Sequence, residues 1–230
     1  MILDAHCHFD MMSNPEKYIR DVESRGDYVI GMTNLPSHFE MGWEHTKGFK
    51  RVRLALGFHP QLAAESQREL LKFVKLVDKT SYIGEIGLDF SRESYASKDV
   101  QISSLRTILE AIKGKNKIIS VHSRRAEKEM LALLREFDIQ NVIFHWYSGP
   151  VGLVREIVDA GYYFSVNEAM TLTPNGQKII NAIPRERILT ETDAPYNERT
   201  SIKAVLNALN MTEQDVMTNF NALIKNIQKR

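Results

Sequence analysis

The chain has 230 residues, 43% of them hydrophobic and 26% charged, with 30 basic residues against 29 acidic and a net charge of +1. That balance excludes a disordered chain and a protein that wraps long duplex DNA with a basic surface, so any nucleic acid is handled locally, in a cleft. One cysteine, Cys7, excludes an internal disulfide, and neither a signal peptide nor an apolar run of the ~18 residues of a membrane span is read, so a cytoplasmic protein with no membrane partner is expected.

Short apolar runs alternate with longer amphipathic ones. Ile2–Ala5 reads as a strand, followed by a helix near Pro15–Arg25. Asp27–Thr33 is a second run, and the connecting segment after it carries His38 and His45, both read as surface residues. Val52–Gly57 is a third, followed by Glu65–Asp78 with Leu70, Val74 and Val77 at helical spacing. Ser81–Ile86 is a fourth, and Ile102, Leu105, Leu109 and Ile112 then mark one helix face. Lys117–Val121, Asn141–Phe144 and Tyr162–Val166 follow. Their helices are marked by Met130, Leu133, Leu134 and Phe137, by Leu153, Val154, Ile157 and Val158, and by a short stretch near Gln177–Ala182. Arg187–Thr190 is the eighth run, and two helical stretches close the chain, with Thr212 as an N-cap for the last. Eight βα units without a linker predict one domain over residues 1–230, an α/β fold of the (β/α)₈ TIM-barrel type; a doubly wound sheet is the alternative.

The polar residues collect at the C-terminal ends of these runs. His6 and His8 end the first, His59 the third, Glu85 the fourth with Asp89 just beyond, His122 the fifth, His145 the sixth, and Glu191 and Asp193 the eighth. A closed barrel brings those ends to one mouth. His6 and His8 are two apart on a strand and so face the same side, where both can bind one cation, while Cys7 between them faces the helix layer. Imidazole with carboxylate suits Zn²⁺, Mn²⁺, Fe²⁺ or Co²⁺, and carboxylate-rich sites accept Mg²⁺. Six candidates (His6, His8, Glu85, His122, His145 and Asp193) are too many for one tetrahedral ion and enough for two that share a carboxylate, the arrangement used to cleave phosphate esters and some amides.

The segments DAHCHFD, LALGFHPQ, IGEIGLDF, VHSRRA, FHWYSG and TETDAPY, in this order between residues 4 and 196, resemble the successive motifs of the TatD family of metal-dependent deoxyribonucleases, and TNFNALI resembles its last helix. The resemblance implies a (β/α)₈ barrel of the metal-dependent hydrolase group with two divalent ions (Mg²⁺, Mn²⁺ or Zn²⁺). His6, His8 and Asp193 would hold the first ion, His122 and His145 the second, and Glu85 would bridge them. Asp193 would orient the attacking water or accept its proton. By the same resemblance, His59 touches the scissile phosphate or leaving group, and Arg124 binds phosphate. Arg125 stands where an acid is common, and the family's long loop after the TDAPY segment is shortened here. The short tail, with HSRRA, FHWYSG and FSVNEAM, is similar to the TatD-like component of Qat anti-phage defence systems, which implies an ATPase and a QueC-like protein as partners.

Arg124 and Arg125 are expected to open the fifth helix, where an anionic ligand would explain them. Trp146 and Tyr147 are expected at the mouth, with Tyr147 among the substrate contacts through stacking on a base. Glu191 is read as the partner of a ligating histidine, and Asp89 as positioning a loop or histidine. The expected activity is a two-metal phosphodiesterase, a 3′-to-5′ exonuclease on single-stranded or frayed DNA, with Glu85, Asp193 and His59 carrying the chemistry. The alternatives are an amide or ester hydrolase acting on a nucleoside-like or tRNA-linked substrate, and a subunit of an antiviral defence complex active only in the assembly.

Overall fold

The computed structural model describes residues 1–197 and 199–228. Among these described residues, nine strands form two wholly parallel sheets. The first sheet holds β1 (Leu3–Cys7), β2 (Tyr28–Gly31) and β3 (Val52–Leu54). The second holds β4 (Leu56–Phe58), β5 (Tyr82–Gly87), β6 (Ile118–His122), β7 (Val142–His145), β8 (Tyr163–Val166) and β9 (Ile188–Thr190), in that order. The third predicted run is thus one strand interrupted at Ala55, and the eight runs form a barrel.

Hydrogen bonds from backbone N–H groups close both seams between the sheets. Ala55 N–H donates to Gly31 O at 2.8 Å, and Gly57 N–H donates to Thr33 Oγ1 at 3.1 Å. At the other seam, Asp193 N–H donates to His6 O at 2.9 Å and His8 N–H to Ala194 O at 2.7 Å. The buried Asp4 carboxylate adds a side-chain rivet, accepting Thr192 N–H at 2.9 Å and the Thr192 hydroxyl at 2.6 Å. Gly57 is required at its position. A Cβ there would lie 1.6 Å from Thr33 O and 2.8 Å from Glu85 N, so the seam beside β5 closes only around a residue without one.

The helices pack outside. They are α1 (Pro15–Arg25), α2 (Pro36–Thr46), α3 (Glu69–Leu76), α4 (Lys98–Ile112), α5 (Glu127–Glu136), α6 (Val151–Asp159), α7 (Glu168–Thr171), α8 (Pro174–Ala182), α9 (Ile202–Leu209) and α10 (Glu213–Gln228). Local signals set most of their ends. Asn14 caps α1 by accepting Lys17 N–H, Pro15 supplies its first residue, and Gly26 ends it at φ 72°. Thr212 and Asp215 cap α10 reciprocally, Asp215 N–H donating to Thr212 Oγ1 at 3.2 Å and Thr212 N–H to Asp215 Oδ2 at 2.8 Å.

Two stretches differ from expectation. The connecting segment with His38 and His45 is the helix α2, which buries only Pro36, Phe39 and Thr46 and so lacks a continuous apolar stripe. The helix expected over Glu65–Asp78 begins only at Glu69 and ends in a 3₁₀ turn over Val77–Lys79.

Strand residues such as Ile83, Ile119, Ile143 and Phe164 are buried, as both faces of an enclosed parallel sheet demand. α10 packs on β1, β6 and β9 at the end opposite the polar residues. Its Asn219 donates to Ile188 O at the start of β9 at 2.8 Å, and Phe220 packs on Tyr28 at the start of β2 with ring centroids 5.1 Å apart.

Candidate metal centre

Five strands deliver the polar cluster. His6 lies on β1 and His8 just past it, Glu85 on β5, His122 and His145 at the last residues of β6 and β7, and Asp193 past β9. All but His122, which is half-buried, are buried. Three sets of donor atoms lie close enough to share an ion: His6, His8 and Asp193; His6, Glu85 and His145; and His59, Glu85 and His122. The first is the set expected for one ion. The other two divide the remaining donors differently from expectation, because Glu85 is reached from three sides and His59, just past β4, the strand next to β5, lies against it.

Glu85 is the hub. Its Oε2 lies 3.2 Å from His8 Nε2 and 3.6 Å from His6 Nε2. Its Oε1 lies 2.6 Å from His122 Nδ1, 2.8 Å from His145 Nε2 and 3.5 Å from His59 Nε2. Asp193 Oδ1 lies 3.6 Å from His6 Nε2 and 3.7 Å from His8 Nε2.

The outer ring nitrogens decide what each histidine presents to the centre. His122 Nε2–H donates to Asp89 Oδ2 at 3.0 Å, which leaves Nδ1 to face Glu85. His6 Nδ1 is paired with Ser120 Oγ at 2.8 Å, and its Nε2 faces the cluster. His59 is the reverse case. Its Nδ1 accepts the Gln61 N–H at 3.3 Å, so the neutral ring carries its proton on Nε2, toward Glu85. A nitrogen that bears a proton is a donor and not a ligand, so His59 stands apart from the metal-type donors although it lies among them.

The charges are strongly coupled. Burial alone would raise the Glu85 carboxyl, but the electrostatic pull of His59 and His145 and the hydrogen bonds from His122 and His145 hold it well below the usual range. Burial also works against charge on His145, yet Glu85 and Glu191 raise that ring well above the ordinary value. His122 is raised against burial by its bonds to Asp89 and Glu85. His6 is lowered by burial and then by the charge of His145. Asp193 is pushed up to about 7 by burial, with the negative charges of Glu85 and Glu191 adding to the rise.

These residues fit divalent cations. Glu85, Asp89, Glu191 and Asp193 are each at most 5% exposed, and so many buried carboxyls around one cavity call for positive charge. The ring nitrogens turned on Glu85 are the donor type that Zn²⁺ and Mn²⁺ accept.

Above the cluster opens a cavity of about 1040 Å³. Arg124 and Arg125 line it, but α5 begins only at Glu127, so both precede the helix that they were expected to open. They lie in a turn that Arg125 completes at φ 58°, and its N–H donates to Glu127 Oε1 at 3.2 Å. Trp146 is half-buried on the cavity wall, held at φ 37° with its N–H on Glu191 Oε1 at 3.0 Å. The expectation for Tyr147 is corrected. Its ring is 1% exposed, packed against Phe144 and Phe164, and its hydroxyl donates to Pro150 O at 2.8 Å, so it is unavailable to a base. The exposed tyrosine of the mouth is Tyr196, whose ring meets His8 edge-on at 4.9 Å. Glu191 also receives Ser165 and Asn167 and anchors the loop after β7. His45 is exposed and His38 half-buried, both outside the cluster, and Cys7 points at Tyr18 of α1.

Sequence reading passed over Asn34, Gln61 and Glu127, which also line the cavity. Asn34 carried a usable signal, a polar residue just past the second apolar run. Gln61 and Glu127 carried none, since polar residues in a turn and on a helix read as surface.

The sequence profile described as "TatD related DNase" matches residues 3–226. An uncharacterized metal-dependent hydrolase of Methanocaldococcus jannaschii is 26% identical over 219 residues, covering 89% of this chain and 86% of the relative. Human deoxyribonuclease TATDN3 is 29% identical over 218 residues, covering 84% and 78%. Among solved structures, the TatD homologue YjjV of Escherichia coli superposes with a TM-score of 0.83 at 21% identity, over 96% of this chain and 97% of that one.

Proposed function

The chain belongs to the TatD-related DNase family of metal-dependent hydrolases, and from that premise we propose a two-metal phosphodiesterase that removes nucleotides from the 3′ end of single-stranded or frayed DNA. The observation that carries this reading is Glu85. One carboxylate has an oxygen toward His6 and His8 and the other toward His122 and His145, so it is suited to serve two cations at once. By resemblance to the family, His6, His8 and Asp193 would hold one ion and His122 and His145 the other. Bound divalent ions supply Lewis acidity and acidify water.

The rest is done by the chain's own residues. Arg124 and Arg125, which line the cavity, bind phosphate oxygens and set the backbone across the centre. The Asp193 carboxylate, beside His6 and His8, orients the attacking water or accepts its proton. As the water oxygen bonds to phosphorus, the P–O3′ bond breaks, and His59 Nε2–H is oriented to donate to the departing oxygen. Trp146 offers a face for a terminal base. We read residues 1–230 as one barrel domain. The composition, with one free thiol, supports a cytoplasmic location, and the likeness to Qat components supports a defence setting with an ATPase and a QueC-like partner.

The test is hydrolysis of an end-labelled single strand with Mg²⁺ or Mn²⁺, beside Glu85→Ala, with bound metal counted in both. Stepwise shortening by the wild type, reduced about 10²-fold or more in the variant, is expected. Efficient nicking of a closed circle overturns the exonuclease reading. Two bound ions without any DNA cleavage move the substrate to an amide or another ester.

A further inference from the structure

Gln61 is an exposed residue in the 3₁₀ turn Pro60–Leu62, yet it bonds to both flanks of the centre. Its backbone N–H donates to His59 Nδ1 at 3.3 Å. Its side-chain Nε2 donates to Asp89 Oδ2 at 2.8 Å, the same oxygen that receives His122 Nε2–H at 3.0 Å. The remaining bonds of Asp89 leave it little freedom. Its Oδ1 accepts Ser91 N–H at 2.8 Å, and Gln101 clamps its backbone, accepting Asp89 N–H at 2.8 Å and donating to Asp89 O at 2.9 Å.

We propose that Gln61 is a positioning residue whose side chain, through Asp89, fixes the His122 ring proton on Nε2, while its backbone N–H, which Gln61→Met and Gln61→Glu both keep, holds the His59 proton on Nε2. The inference rests on the metal-hydrolase reading but not on the nuclease step. An ionised carboxylate only accepts, so the Gln61 amide must present its nitrogen to Asp89, and its orientation is set by chemistry. No packing demand accounts for the pose, because the side chain stands on the open wall of the cavity. With two donors on Oδ2, Asp89 is held against His122 Nε2, and His122 Nδ1 faces Glu85 Oε1 at 2.6 Å. The His59 bond turns that neighbouring ring the opposite way, so it offers a proton where His122, on a loaded centre, would offer a lone pair. One residue thereby separates a ligand from a donor although their ring centroids are only 5.1 Å apart.

The test uses Gln61→Met, which keeps length but has no donor, and Gln61→Glu, which keeps shape but sets a second carboxylate against Asp89. An exposed position tolerates both, and a thermal melt checks that they fold. Zn²⁺ affinity is read by chelator competition, and the His59 and His122 tautomers by long-range ¹H–¹⁵N spectra of the Zn²⁺-loaded chain. Loss of a hydrogen-bonding partner behind a ligating histidine weakens metal binding by roughly 10–100-fold, and Gln61 acts one bond further out, so a loss of about 3–10-fold is expected for Gln61→Met and a larger one for Gln61→Glu. The His122 Nε2–H signal should broaden in both. Wild-type affinity and unchanged ring spectra in Gln61→Met, or a Gln61→Glu variant that binds like wild type, overturn the proposal. A wild type that cleaves no DNA but shows these differences removes the nuclease reading and leaves the role of Gln61 standing.

Discussion

His6 and His145 stack face to face, with ring centroids 3.8 Å apart and planes 14° from parallel, although their strands β1 and β7 are not neighbours in the barrel. The pair meets only across the interior, so the contact is a direct consequence of closure. Two stacked imidazolium rings would repel, and the charge settles on one of them. His145 is raised by Glu85 and Glu191 against its burial, while His6 is lowered by burial and by His145.

That division predicts proton release on metal binding. In the cation-free protein His145 is raised well above the ordinary value, so near pH 7 it carries a proton toward Glu85, and His122 is shifted in the same direction. A ligand nitrogen must be free of its proton, so loading with Zn²⁺ or Mn²⁺ should release about one proton or more per chain at pH 7. Affinity should therefore fall as the pH drops from 8 to 6. Calorimetry in buffers of different ionisation enthalpy measures the release. A binding heat independent of buffer would contradict the assignment.

Asp4 predicts a stability trend of defined sign. Burial raises its carboxyl from 3.8 to about 7 in the folded chain. The protonated form is thus favoured by folding. Its contribution is complete below pH 4 and is lost as the pH rises through about 7, with a ceiling of roughly 4 kcal/mol. Asp4→Asn stays neutral and keeps a carbonyl for Thr192 N–H. In urea unfolding with chelator present, the lead of wild type over Asp4→Asn should shrink by roughly 2 kcal/mol or more between pH 5 and pH 8. A constant difference would show that Asp4 stays ionised throughout.

The two arginines of the mouth should separate. Arg124→Ala should raise KM about 10-fold with little change in kcat, the signature of lost phosphate binding. Arg125 occupies a left-handed conformation that glycine adopts freely, and its only backbone bond, to Glu127, survives substitution by glycine. Arg125→Gly should then gain about 0.5–1 kcal/mol of stability while reporting the guanidinium's own share of binding. Thermal melts beside oligonucleotide kinetics check both. Destabilisation by Arg125→Gly would mean that the side chain, not the backbone, holds the turn.

Gly57→Ala should be among the most damaging single-methyl changes. The added carbon would lie 1.6 Å from Thr33 O and 2.8 Å from Glu85 N, backbone atoms that cannot move separately. A loss of about 3 kcal/mol or more is expected, with bound metal lost in parallel because Glu85 shifts. A soluble variant that retains full metal content would show that the seam can widen.

The alternation of short β-branched runs with amphipathic ones was legible in the sequence, and so was the convergence of His6, His8, Glu85, His122, His145 and Asp193, because strand-end placement turns a linear pattern into a shared mouth. α2 was hidden because it buries few residues and shows no stripe. Tyr147 was misread because neighbours on a chain do not share a fate where a backbone turns sharply. The left-handed Trp146 keeps that residue on the wall and sends Tyr147 into the core. The family resemblance gave His59 and His122 different duties, but the ring-proton placement that separates them could not be read, since it depends on Gln61 and Asp89, which come from separate loops.

The first donor set joins His6 and His8 at one end of the chain to Asp193 near the other. During synthesis the two histidines leave the ribosome ~185 residues ahead of the aspartate, a wait of roughly ten to forty seconds at ordinary translation rates. Throughout that interval the nascent chain carries the histidine pair without the aspartate that completes its set. Completion of this first set is thereby deferred until the last strand closes the barrel, and a product of translation interrupted before residue 193 would lack it.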